Sequence, residues 1–144
     1  MKAPEYSGVF FFMKAGVLCV IGLIFFLFAG LQWEDDNPEV YANPSMGDVI
    51  KWVTFYALVG VLYFWTAFGK LPRLAIFFVM GFALLLLLQS SSGFWANLSS
   101  GEFNMTKEAM NPENAPVEES REFFGVLIAI AALLGLFCPC LRKG

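Results

Sequence analysis

The sequence predicts an all-α integral membrane protein, a four-helix bundle with both termini cytoplasmic and two acidic outer loops. Composition is the first reason. Of the 144 residues, 58% are hydrophobic and only 15% are charged, against about 45–50% and about 25% in a soluble domain. The second reason is the presence of four apolar runs, at about residues 15–31, 49–68, 71–89 and 123–138. Each approaches the ~20 residues that cross a bilayer core. The third is the sorting of charge. Lys2, Lys14, Lys70, Arg73, Arg142 and Lys143, six of the nine basic residues, fall on one side of such a bundle. Every acid except Glu5 falls on the other. Basic residues favour the cytoplasmic side, and that sets the orientation. The length suits a single transmembrane domain over residues 1–144.

The first helix is expected over about residues 9–31, because "VFFFM" extends the apolar run backwards. Lys2 and Lys14 precede the apolar run 15–31 as they would a signal peptide, yet a retained membrane anchor is the expectation. In lipid the backbone must satisfy its own hydrogen bonds, so each run is read as helix whatever its β-branched content. The first outer loop, about 32–48, contains Pro38 and Pro44. The second helix follows at about 49–68. The short link 69–73 contains Pro72 and predicts an antiparallel hairpin with the third helix, about 71–89. The second outer loop, about 90–120, is long for a structureless segment. Part of "SGFWANLSSGEFNMTKEAM" is therefore expected to form a short helix along the membrane interface, anchored by Trp95 and Phe103. Trp33 is the matching anchor of the first loop. The fourth helix is expected over about 117–138. Pro116 suits its first turn, and Glu118 and Glu119 lie where the helix dipole favours negative charge. Gly16, Gly22, Gly30, Gly60 and Gly81 are expected to permit close helix packing.

The chain has no histidine, which removes the commonest general base and a favoured metal ligand. Cys19, Cys138 and Cys140 lie in or beside apolar runs and suggest no disulfide scaffold. Cys138-Pro-Cys140 reads as two thiols at a helix end; lipidation there would need a eukaryotic host. No acid, lysine or arginine lies near a helix centre, where pumps and ion-coupled carriers place them. Basic patches are absent and the net charge is -3, so nucleic acid is excluded as a partner. Asn97-Leu-Ser and Asn104-Met-Thr match the short glycosylation pattern, which has meaning only in a eukaryotic source. No cofactor and no metal centre is expected.

Two stretches carry the candidate chemistry. "QWEDDNPEVY" offers Glu34, Asp35, Asp36, Asn37 and Glu39, oxygens that a hard cation favours, although the spacing is not an EF-hand loop. The plainer reading is a solvated stop signal. In "PVEESREFFGVL", Glu118, Arg121 and Glu122 share one helix face that continues to Gly125. An arginine where a helix enters lipid needs an acid nearby. Glu118, Asp35 and Asp36 are the nearest sources. The preferred reading is a clamp in which Arg121 ties the first outer loop to the fourth helix. The alternative is a polar pocket lined by Asp35, Asp36, Glu118, Arg121 and Glu122.

These stretches resemble the small four-helix membrane family typified by transmembrane protein 220. That family places a Gln-x-Asn-Asp-Pro-Asp motif after an apolar helix. "FFLFAGLQWEDDNPEVY" is similar to that junction, with Gln32, Asp35, Asp36 and Pro38 in corresponding places and Asn37 displaced. The family also carries Glu-Glu-x-Arg-Glu-x-x-Gly entering its last helix, as "EESREFFG" does at residues 118–125. "NMTKEAMNPENAPV" resembles the bacterial members. The resemblance covers nearly the whole chain. It implies a bacterial inner-membrane protein and a four-helix bundle, and no particular activity.

The expected function is non-catalytic: an accessory or stabilising subunit in the lipid bilayer, packing against larger membrane-protein subunits. The competing expectation is a ligand- or cation-binding membrane protein with its polar site between the outer loops. A membrane enzyme acting on lipid is least favoured, because those carboxylates would have to serve as acid and base without histidine.

Overall fold

The computed structural model describes residues 6–35, 37–42, 44–106 and 112–138. They form four helices: α1 (Tyr6–Leu31), α2 (Met46–Phe68), α3 (Arg73–Ser99) and α4 (Ala115–Gly135). A 3-10 turn, Gln32–Glu34, extends α1. No strand occurs among the described residues. The expected cytoplasmic basic tail, with Arg142 and Lys143, lies outside them, as do Lys2 and Cys140.

Local sequence explains the helix ends. The Ser45 side chain caps α2 by accepting the Asp48 N–H at 3.1 Å. Asp48 then pairs with Lys51 one turn on. Proline lies in the first turn of α4, as expected. α3 departs from expectation. It runs unbroken to Ser99, so Trp95 belongs to α3, and no separate interface helix follows among the described residues. The serines do not break it, because they bond back into their own helix. Ser90 Oγ donates to the Leu86 carbonyl at 3.0 Å and Ser91 Oγ to the Leu88 carbonyl at 2.7 Å. The chain turns away only at Gly101, whose φ of 82° is the left-handed conformation that glycine adopts without a Cβ penalty.

α1, α2 and α3 are each long and apolar enough to cross a membrane. α4 differs from the fourth full span that the sequence suggested. Its first two turns hold Glu118, Glu119, Arg121 and Glu122, and its helical apolar run is confined to residues 123–135, short of the ~20 residues a span needs.

α1, α2 and α3 each bury a stripe in steps of three and four residues. On α3 it is Ile76, Val79, Ala83, Leu86, Ser90, Gly93 and Asn97. That spacing is the seam of left-handed bundle packing. α2 lies at the centre. Trp52, Phe55, Tyr56, Val59 and Tyr63 fill the core from it. The Tyr63 hydroxyl donates to the Ala132 carbonyl of α4 at 2.8 Å. The buried Trp52 Nε1 has no hydrogen-bond partner among the described residues; its ring stacks on Tyr56 at 6.1 Å.

The closest helix pairs are α1 with α2 and α3 with α4. The short link between α2 and α3 does not make them the tightest pair. Phe55 and Phe82 meet edge-on at 5.5 Å between them and hold the backbones apart. Glycine allows the closer approaches. A Cβ on Gly60 would lie 3.0 Å from the Gly22 carbonyl oxygen, so α1 and α2 touch backbone to backbone. Gly16, Gly30 and Gly81, expected to serve the same purpose, face open space. On the other pair Gly93 does that work, against the Glu119 side chain, while Gly125 on α4 lies against the Tyr56 hydroxyl of α2.

Candidate functional site

A cavity of about 440 Å³ opens at the end of the bundle where α1 finishes and α2 and α4 begin. Phe28, Leu31 and Gln32 form its α1 wall. Glu118, Arg121, Glu122, Gly125 and Ile128 face them from α4. On α4 these residues recur every three or four positions, so they form one stripe along the helix. Tyr56 and Asp48 contribute from α2, Asp35, Val40 and Tyr41 from the first loop, and Met105 from the second.

The cavity therefore brings together Asp35, Glu118, Arg121 and Glu122. Asp36 lies outside the described residues. Trp33 and Trp95 are exposed and do not line the cavity.

One attachment of the first loop to α4 runs through an atom that the sequence did not suggest. Glu118 Oε2 accepts the backbone N–H of Ala42 at 3.0 Å. Asp35 and Arg121 both act on Tyr41. The Tyr41 hydroxyl donates to the Asp35 carboxylate, and the Arg121 guanidinium is near enough to influence its ionisation. Burial, and then Asp35, push Tyr41 well above the usual phenol range. Glu118 lies in the first turn of α4, ahead of the apolar run. Its carboxyl is also raised, chiefly by burial, while the Ala42 hydrogen bond pulls the other way.

Glu119 turns away from the cavity to α3. Its Oε2 accepts the Gly93 N–H at 2.7 Å and the Ser92 hydroxyl at 3.3 Å. Behind it, Asn97 is 3% exposed. Its Nδ2 donates to Ser120 Oγ at 2.8 Å and to the Asn104 carbonyl at 2.9 Å. Ser120 Oγ in turn donates to the Pro116 carbonyl at 2.6 Å. This network fixes the charged turns of α4 against the end of α3. It also removes Asn97 as a glycan acceptor, since its amide is buried and engaged. On the same side Phe94 stacks on Phe123 with centroids 4.3 Å apart.

The acidic loop, the clamp and the α4 face were legible as candidates. Tyr41, Tyr56, Asp48 and Gln32 were missed as lining residues. Tyr56 sits in a hydrophobic run and reads as core; Asp48 reads as a helix-capping acid. Among the described residues no three carboxylates converge as a metal ion requires. They are spread along the wall instead. The cavity thus offers acceptors, one guanidinium and two phenols above an apolar floor, an arrangement suited to holding a polar group beside hydrocarbon.

Residues 24–138 match the model of a family described as transmembrane family 220, helix. No curated protein and no solved structure matches the chain.

Proposed function

The chain belongs to transmembrane family 220, and within that multi-pass membrane setting we propose that it is a non-catalytic binding protein seated on the cavity between α1 and α4. One observation carries the reading. Side chains from three helices and both loops converge on a single polar-lined space, where a plain stop signal needs only solvated acids. Charged and phenolic groups over an apolar floor are what a small-molecule site requires, and about 440 Å³ falls in the usual range of roughly 300–1,000 Å³.

The accessory-subunit reading rests on the exposed apolar faces, such as Leu23 and Leu27 on α1 and Leu85 and Leu88 on α3. Lipid covers those faces equally well, so they favour no partner. The orientation we adopt places Lys14, Lys70 and Arg73 on the cytoplasmic side of a bacterial inner membrane and the cavity at the opposite end. Accessibility labelling of single cysteines in the 69–72 link and at Glu39 checks that orientation.

The test of function is thermal unfolding of the purified protein in mild detergent against a panel of ions, small polar solutes and amphiphiles. A ligand that binds only the folded state stabilises it by mass action, by about 2.7 kcal/mol at a hundred times its Kd. At least one compound should give a saturable rise in Tm whose midpoint Glu122→Gln shifts to higher concentration. A panel without any such compound would overturn the proposal.

A further inference from the structure

We propose that the occupant of this cavity is a membrane amphiphile headed by a primary ammonium group, a deepening that rests on the binding function proposed above. Three observations converge on it. The first is charge. Asp35, Glu118 and Glu122 line the cavity against one guanidinium, and the fourth acid, Asp48, is already paired with Lys51. Burial raises the Glu118 and Glu122 carboxyls, so a cationic head restores their ionised form whereas an anionic head would oppose it. An ammonium group also has three N–H donors to give to the spread carboxylate and phenol oxygens.

The second is the gradient along the wall. Glu118, Arg121 and Glu122 occupy the α4 stripe at its polar end, and Gly125 and Ile128 continue it into the apolar run. At 1.5 Å per residue the stripe covers about 15 Å. Leu31 and Phe28 face its deeper part from α1. A ligand with a charged head and an apolar chain matches both ends of such a wall; a free ion or a uniformly polar solute matches only one.

The third is access. Leu31 is 66% exposed and Ile128 53%, yet both line the cavity. The cleft is therefore open on a flank where bilayer hydrocarbon surrounds the helices. α1 and α4 are not among the closely packed pairs, which leaves that flank unsealed. A volume of about 440 Å³ holds a head and the start of a chain, and the remainder of the chain extends into the bilayer.

The experiment is thermal unfolding of the full chain in an uncharged detergent doped with single probes. Dodecylamine is the positive probe; dodecanoate reverses the charge, dodecyltrimethylammonium removes the N–H donors, and ethanolamine removes the chain. Dodecylamine should raise Tm saturably and more than the other three. Glu122→Gln and Asp35→Asn should each weaken its apparent affinity about tenfold, the loss of one charge-assisted hydrogen bond. If one variant fails to fold, the other still decides. An equal rise with dodecanoate, or an unchanged response in both variants, overturns the inference. A response to ethanolamine equal to that of dodecylamine overturns the membrane source. A response confined to other compounds of the wider panel overturns the inference and leaves the binding function standing. No response to any compound removes both.

Discussion

Asn97 shows how much one side chain can hold in place here. It joins α3, the second loop and α4 through a half-buried hydrogen bond to Asn104 and a buried one to Ser120. Replacing it by alanine leaves the Ser120 hydroxyl and the Asn104 carbonyl without that donor. Buried unsatisfied groups cost about 1–3 kcal/mol, so Asn97→Ala should lower the detergent Tm while Ser99→Ala, at an exposed position, should not. Glu118 makes a second prediction at this scale. Its carboxyl is raised above 4.5 by burial, so folding favours the protonated form. That contribution is fully present below the ordinary carboxylate range and is lost as pH rises through the raised value. Glu118→Gln keeps an oxygen to accept the Ala42 N–H and has no charge to bury. Its Tm should fall less than that of the wild type as pH rises across this window. An identical slope in variant and wild type would remove the burial argument. At the residue scale the sequence pointed to the right turn of α4 but not to the contact between Glu118 and the Ala42 N–H. A clamp through Arg121 is legible because arginine near lipid demands a partner. The Ala42 N–H leaves no trace in the sequence, since every residue but proline has such a donor.

At the scale of elements, four helices could be read from apolar runs alone, because lipid leaves the backbone few alternatives. The end of α3 could not. A run of serines looks like a loop in water, but here the hydroxyls satisfy themselves within the helix and its far end packs against the polar turns of α4. Which glycines bring helices together was equally hidden, since each of the five candidates lies in an apolar run. Only three-dimensional neighbours separate Gly60 from Gly81. Adding a Cβ at Gly93 meets the Glu119 side chain, with its Cδ at 2.7 Å. Gly93→Ala should therefore destabilise the α3–α4 pair by about 1–3 kcal/mol, the usual cost of overpacking. Gly81→Ala faces open space and should leave Tm unchanged or raise it, because alanine is the better helix former. Thermal unfolding of the two variants side by side checks the pair. Equal destabilisation would mean that glycine placement is not what sets the packing.

For the whole molecule, the sorted arrangement of charge and apolar surface has one consequence beyond stability. Three helices meet the requirement for a span, while α4 carries four charged residues in its first turns. Those turns are held beside α3 and α2, and the space left between α4 and α1 becomes the cavity. Its existence was legible as one of two alternatives, a clamp or a pocket. The structure contains elements of both: Glu118 fastens the loop, and the same carboxylate lines the space beneath. The binding function is the claim on which the rest depends. A crystal structure of the protein extracted together with its native lipid tests it most directly. Non-protein density is expected between Gln32, in the turn that follows α1, and Glu122 on α4, with a polar group against the carboxylates and a chain running past Ile128. A cavity filled by the protein's own side chains, with α1 closed onto α4, would contradict it.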